Sequence, residues 1–384
     1  MTPLRIVHTV STLLNGGMEH FVVRLAQAQR RMGHDARIVA IKTGPLLAQA
    51  EALGIPAQVL HRSGKRDRIL RGALTMARAR PDVIHAHNTT SLHYAVLGKL
   101  VSGARIVFTD HAQIIRVPRA FEWYLTDAAV AVSEDTARKS IAHSVIPEVL
   151  VFHNGIDTEP PGRARAEVRA ELALGAGTVA VHVARFVPLK AQDTIVRAVA
   201  LLKARGARLT VLFVGDGEEL ARVERLAGEL GLGRGDVRFL GFRADVGDLL
   251  SAADIFLLPS RTEGFPLSLL EAMAHHLPVV VTPVGGIPEL CAEGEHALFV
   301  PVDDPEALSI TIERLASDVA LQRKLGEAGY ARISSEFSFD GMTRRYEELY
   351  RRVLARTFWD RLRILAARLR RRRMPVMPVL PGTP

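Results

Sequence analysis

The chain has one cysteine, Cys291, among its 384 residues. A lone thiol excludes a disulfide framework and fits a reducing compartment. Long apolar runs are also missing. No stretch approaches the ~18 uncharged apolar residues that a spanning helix needs. Residues 4–10 form an apolar run that includes Arg5 and His8, without a cationic segment leading into a long apolar core. No signal peptide is therefore expected, and the protein is expected to remain cytoplasmic. Aromatic residues make up only 5% of the chain, and with no nucleic-acid motif, nucleic acid is not expected as a partner. Asp-x-Asp is absent. That sequence commonly holds a divalent cation on a nucleotide diphosphate. A site without it draws positive charge from side chains and helix ends, so no metal and no cofactor are expected.

What is present suffices for two domains: 384 residues, 48% hydrophobic and 24% charged. The net charge of +9 is local. Residues 351–373 hold ten arginines and one acid, Asp360, which gives 10 − 1 = +9; the remainder balances, with 40 basic and 40 acidic residues.

Short β-branched runs at 5–10, 36–41, 58–60, 83–87, 105–109, 128–132 and 149–153 alternate with helical patterns. In residues 19–32, for example, Phe21, Val22, Leu25 and Ala28 keep helical spacing. Glu159-Pro160-Pro161-Gly162 interrupts the pattern and suits a hinge. After a helix at 163–174 the alternation resumes at 179–184, 209–214, 237–240, 255–258, 279–281 and 298–300. Strand–helix alternation implies parallel sheets covered by helices, and two sets imply two Rossmann-like domains, with ligands at the carboxyl ends of the strands. The expected domains are 1–162 and 163–338, then a charged helix at 339–356 and a basic, Pro-ended tail at 357–384.

Three motifs carry chemistry. In Glu263-Gly264-Phe265-Pro266-Leu267-Ser268, Pro266 suits the first turn of a helix. The amides of Phe265, Leu267 and Ser268 would then be open to a phosphate or a sugar hydroxyl. Glu263 precedes that helix and Glu271 lies on it; the competing reading is a cap and a solvated carboxylate. Arg185 and Lys190 follow a buried strand, where a ligand would meet them, and a forked guanidinium with a compact ammonium suits phosphate. Two exposed surface cations would look the same. Asn15-Gly16-Gly17-Met18-Glu19 follows the first strand, and its glycines let the backbone approach a ligand. Val284-Gly285-Gly286-Ile287-Pro288 is a further candidate for amide contacts. Val214-Gly215-Asp216-Gly217 reads as no more than a strand-to-helix turn. His85, His87, His111 and His153 fall at or just past strand ends. His85 and His87 share a strand face, and a structural or substrate role ranks above a metal for want of a third ligand.

The order and spacing of these elements resemble the retaining family-4 glycosyltransferases, over residues 5 to about 354. The resemblance rests on Gly16-Gly17-x-Glu19, on His111 after Phe108-Thr109-Asp110, and on Asn154-Gly155-Ile156-Asp157. It continues with Arg185 and Lys190, with Glu263 and Glu271 eight apart, and with Gly285-Gly286. It implies the GT-B fold: an α/β chain of two Rossmann-like domains facing a central cleft, with a C-terminal helix crossing back. It also implies roles. Arg185 and Lys190 would neutralise a leaving diphosphate, with amides of Gly16 and Gly17 adding to them. Glu271 would hold ribose hydroxyls, and Glu263 with the amides of Gly264, Phe265 and Leu267 would hold the donor sugar. His111 would lie beside the sugar's reacting face, and Phe242 and Arg243 would flank the base. The family commonly has glycine where this chain has Ala191 and Pro266.

The function implied is sugar transfer from a nucleotide-diphosphate donor to a glycan or lipid-linked acceptor in cell-surface polysaccharide assembly. His87, Asn88 and residues 113–119 are candidate acceptor contacts. An epimerase or hydrolase on the same scaffold, and a membrane-associated scaffold protein of weak activity, are the competing functions. In the tail, Phe358, Leu362, Leu365 and Leu369 recur at helical spacing among arginines, with Trp359 near the start. Such a helix suits an anionic membrane surface, or else it packs on the first domain.

Overall fold

The computed structural model describes residues 2–60, 65–111, 120–142, 149–157 and 162–357, and beyond them 359–360, 362–364 and 366. The chain divides into two compact units: Met1–His153 with Met342–Pro384, and Asn154–Gly341.

The first unit is built on a parallel sheet of seven strands: β1 (Arg5–Val10), β2 (Asp35–Ala40), β3 (Ala57–Val59), β4 (Val83–Ala86), β5 (Arg105–Asp110), β6 (Ala128–Ala131) and β7 (Leu150–Val151). Their spatial order is β3-β2-β1-β4-β5-β6-β7. The second unit has six parallel strands: β8 (Thr178–Val183), β9 (Leu209–Val214), β10 (Val237–Phe239), β11 (Ile255–Leu258), β12 (Val279–Val281) and β13 (Ala297–Phe299). Their order is β10-β9-β8-β11-β12-β13. The strand order reverses between β1 and β4 in one sheet and between β8 and β11 in the other. In open parallel sheets, ligands bind outside the carboxyl ends of the strands at such a point. These are the two Rossmann-like α/β units expected, with strand ends displaced by a residue or two.

The strands read as apolar runs because helices cover both faces of each sheet. Every residue of β11 (Ile-Phe-Leu-Leu) and β12 (Val-Val-Val) is buried. Phe186, Phe213, Leu257 and Val280 belong to the second core; Ile84, Ile106, Phe108 and Trp123 belong to the first.

The units divide between His153 and Asn154, ahead of the expected Pro-Pro hinge; residues 159–161 of that hinge lie outside the described residues. Backbone bonding explains the position. Within the second unit the Ile156 N–H donates to the Phe337 carbonyl at 2.8 Å, and the Phe339 N–H to that of Ile156 at 3.2 Å. A Cβ on Gly155 would stand 2.6 Å from the Ser338 carbonyl oxygen, so only glycine permits this approach. The helix Phe339–Ala355 belongs to the first unit from Met342 on, and Tyr346, Tyr350 and Val353 on it are fully buried. The C-terminal helix therefore does cross back. Among the described residues no helix is long and apolar enough to span a membrane. Phe358, Arg361, Leu365, Leu369 and the arginines from 368 to 373 lie outside the described residues, as do residues 113–119.

Candidate active site

In the second unit the chain leaves β8 and turns at Ala184–Phe186. The buried Phe186 ring anchors this turn, and the Phe186 N–H donates to the Asp216 carbonyl at 2.9 Å. Gly215 and Gly217 stand at φ +134° and +155°. A Cβ on either would collide with the carbonyl of Ala184 or of Phe186. The Gly-Asp-Gly turn is thus a clamp on the segment that carries Arg185. The Arg185 side chain is exposed at the end of β8, and it forms no ion pair or hydrogen bond among the described residues.

Lys190 closes a short 3-10 turn, Pro188–Lys190, and Ala191 follows with φ +52° and ψ +40°. This left-handed conformation favours glycine, so Ala191 holds it under strain. Lys190 Nζ lies 2.6 Å from Glu263 Oε1, and Ser260 Oγ donates to the same oxygen at 2.7 Å. Arg261 fixes the turn: its amide donates to the Leu189 carbonyl at 2.8 Å, and its guanidinium to the Pro188 carbonyl and to Asp303 at 2.7 Å and Asp193 at 3.1 Å.

Glu263 leads through Gly264 and Phe265 into the helix Leu267–Ala274, with Pro266 at the N-cap rather than inside the first turn. No side chain caps this helix, so its first amides face outward. The segment is held from two sides. Asn154 Nδ2 donates to the Phe265 carbonyl at 2.8 Å, and the Gly286 N–H donates to that of Gly264 at 3.0 Å. Gly285, at φ +58°, comes so close to the Glu263 backbone that a Cβ would overlap the carbonyl. Half-buried Glu271 lies on the helix. The fold therefore gathers Lys190, Glu263 to Leu267, and Gly285–Gly286 into one interlocked group.

Phe242 is 49% exposed beside Gly241, whose carbonyl receives the Gly215 N–H at 2.8 Å. Arg243 is already engaged. It donates to Asp245 at 2.7 and 2.6 Å and to Glu171 at 3.3 Å, and these carboxylates raise its pKa further above the ordinary range. Of this pair, the ring is the group left available.

Gly16, Gly17 and His111 belong to the first unit. The helix Gly17–Arg31 starts with no side-chain cap at Gly16. The Glu19 carboxylate lies against Gly16 and accepts from Thr12 Oγ1 at 2.9 Å. Four histidines converge, His8 and His85 within β1 and β4, His87 and His111 just past the ends of β4 and β5. His8 Nδ1 and His87 Nε2 are 2.9 Å apart, His87 Nδ1 and His111 Nε2 3.3 Å, and His8 Nε2 and Gln29 Oε1 2.7 Å. His85 Nδ1 meets Tyr350 OH, and its Nε2 meets Thr109 Oγ1, each at 2.7 Å. Burial pushes His8 down to about 4 and His111 to about 3, and carries His85 and His87 well below the usual range, so all four rings are neutral near pH 7.

His8, His85 and His87 each bring one ring nitrogen within 4.8 Å of the others, the spacing of a metal site. All six of their nitrogens already have hydrogen-bond partners, which makes the cluster a neutral polar network. Sequence reading found His85, His87 and His111 but not His8, Gln29 or Tyr350. Gln29 and Tyr350 lie on helices with many other polar residues, and His8 lies inside a strand, so nothing local marks them. Nor did it find Gly215, Gly217 and Arg261 as supports of the Arg185–Lys190 segment.

The second unit thus brings two cations and an uncapped helix start to the switch point of a parallel sheet, an arrangement suited to a phosphate. Residues 177–318 match the model for glycosyl transferases group 1, and residues 15–160 that for glycosyltransferase family 4. The chain belongs to the group 1, family 4 type of glycosyltransferase and has the GT-B fold. It is 35% identical to the lipopolysaccharide core biosynthesis glycosyltransferase LpsE of Rhizobium meliloti, over 53% of this chain and 57% of that protein. It is 28% identical to the N-acetyl-alpha-D-glucosaminyl L-malate synthase of Bacillus anthracis, over 71% of this chain and 75% of that one. The matched region thus spans between about half and three quarters of these relatives' lengths. Among solved structures, HepE from Anabaena in complex with UDP and glucose superposes with a TM-score of 0.81 at 21% identity, over 90% of this chain and 99% of that one.

Proposed function

We propose that this protein moves a sugar from a nucleoside-diphosphate donor to a glycan or lipid-linked acceptor in cell-surface polysaccharide assembly, with retention of anomeric configuration and without a metal. The observation that carries the reading is the pair of cations at the end of β8. Arg185 is exposed with no partner among the described residues, and Lys190 is fixed by Arg261's hold on its turn and by Glu263. As the sugar–phosphate bond breaks, charge builds on the diphosphate. Fixed cations and the open amides of the helix Leu267–Ala274 stabilise that charge without rearranging. Lys190 has three N–H donors, so it can keep Glu263 and still reach a phosphate.

In the same reading Glu263 with Gly264, Phe265, Pro266 and Leu267 holds the sugar, and Glu271 holds the ribose. Phe242 stacks on the base; among the first unit's candidates, Gly16 and Gly17 offer amides and His111 a ring nitrogen to a sugar or acceptor hydroxyl. The LpsE likeness supports a cell-surface glycan product, and the HepE likeness supports a uridine nucleotide. The ten arginines of residues 351–373 supply the positive charge for contact with an anionic membrane. The reading is tested by thermal melts with a panel of nucleotide sugars. A true donor at 100 times its Kd adds about 2.7 kcal/mol and raises the melting temperature by several degrees. Arg185→Ala together with Lys190→Ala removes most of that shift. A panel with no stabilising member, or a shift untouched by the double substitution, rejects the assignment.

A further inference from the structure

His111 is the terminus of a hydrogen-bonded wire whose direction can be read atom by atom. Gln29 Nε2 donates to Tyr350 OH at 3.2 Å, which turns Gln29 Oε1 toward His8 Nε2 at 2.7 Å. An amide oxygen only accepts, so neutral His8 carries its proton on Nε2 and its Nδ1 is a bare acceptor. His87 must then donate from Nε2 across the 2.9 Å contact, which leaves its Nδ1 bare. His111 in turn donates from Nε2 across 3.3 Å, which leaves the His111 Nδ1 lone pair without a partner among the described residues. Tyr350 closes the far end: its hydroxyl donates to His85 Nδ1 at 2.7 Å, and His85 Nε2 donates to Thr109 Oγ1. His8, His85 and His87 are fully buried, as are Tyr350 and Thr109; Gln29 is 1% exposed. The Phe21 ring meets His111 edge-on at 5.0 Å and limits its rotation. Reversing the Gln29 amide would reverse every bond from His8 to His111 and place a proton on His111 Nδ1.

We infer that Gln29 and Tyr350 are positioning residues that hold His111 in its Nε2–H form, so that Nδ1 accepts a hydrogen bond from a hydroxyl of the bound sugar or acceptor. The tautomer follows from the wire itself; the hydroxyl as ligand rests on the proposed function. The returning C-terminal helix, through Tyr350, thereby sets the chemistry of a group on the far side of the buried cluster.

The experiment uses the full chain with 15N-labelled histidine at neutral pH, with His111→Asn serving only to assign the His111 signals. The native protein is expected to show a pyridine-like Nδ1 and a pyrrole-like Nε2 at His111. Gln29→Met, which keeps volume but removes the acceptor, should give mixed tautomers. Gln29→Glu, whose neutral acid still offers His8 an oxygen and Tyr350 a donor, should restore the single form. Turnover in Gln29→Met should fall about 3–10-fold, the worth of one hydrogen bond, with donor KM unchanged and with recovery in Gln29→Glu. Should Gln29→Met fail to fold, Tyr350→Phe tests the same wire by removing the group that orients the amide. A proton on His111 Nδ1 in the native chain, or a tautomer indifferent to these substitutions, overturns the inference. A tautomer that responds while turnover does not overturns the positioning role. Absence of turnover with every donor counts instead against the proposed function and leaves the ring-nitrogen signals to decide the wire.

Discussion

The two units share one architecture and hold polar groups at their strand ends in opposite ways. The first buries a chain of neutral rings: His8, His85 and His87 have no exposed surface. The second sets charges at the rim: Arg185 is exposed, and the Lys190 side chain is 23% exposed beside the nearly buried Glu263. A parallel sheet presents the same end to a ligand in both cases. What differs is the chemistry on offer: oriented neutral acceptors in the first unit and fixed positive charge in the second.

Acid should separate the two units most. The four imidazoles of the cluster bind protons in the unfolded chain below about pH 6.5, yet in the folded chain His8 does so only at about 4 and His111 at about 3. Their folded pKa is depressed, so the stability they contribute is complete above pH 6.5 and is lost as the pH falls toward 4. The combined loss is on the order of several kcal/mol. The second unit has one comparable ring, His182, lowered to about 4 by burial. Of the two tryptophans, Trp123 is buried in the first unit and Trp359 is exposed. Tryptophan fluorescence therefore reports the first unit, and it should change at a higher pH than the helical circular dichroism contributed by the second. Coincident transitions would erase the contrast.

Gly285→Ala should come next. Its alanine would need positive φ and would drive a Cβ into the Glu263 carbonyl. We expect at least ~2 kcal/mol of destabilisation in the second unit and loss of activity, since the displaced backbone carries Glu263. Denaturant titration would show it, and a neutral result would mean that the Glu263 segment is not held from this side. The smallest effect is expected at Ala191→Gly. Relief of ~1–2 kcal/mol of left-handed strain is partly offset by ~0.5–1 kcal/mol of added unfolded-state freedom. A net gain of about 0.5–1 kcal/mol should appear in the melting temperature, whereas a loss would show that the alanine is well accommodated.

The fold was largely legible because buried parallel strands leave continuous apolar runs, as in Ile-Phe-Leu-Leu and Val-Val-Val of β11 and β12. The C-terminal helix was legible from the charged pattern of residues 339–354, and its crossing back only from the family resemblance. The placement of Arg185 just past β8, and of Glu263 ahead of the helix Leu267–Ala274, was also visible. Groups defined by distant partners were not. Gly215 and Gly217 show their purpose only against the carbonyls of Ala184 and Phe186. Gln29 and Tyr350 bond across 321 positions of sequence. Arg243 looked free for a base, yet Asp245, two residues on, already takes up its charge.

The claim on which the account turns is that Arg185 and Lys190, not a bound metal, absorb the diphosphate's charge. Donor turnover by native and Lys190→Ala chains, each with and without a strong chelator, tests it directly. We predict a native rate indifferent to chelator and a Lys190→Ala rate lower by ~10²–10³, or ~3–4 kcal/mol of barrier, in a folded protein. A folded Lys190→Ala chain at full rate, or a native rate abolished by chelator, would contradict it.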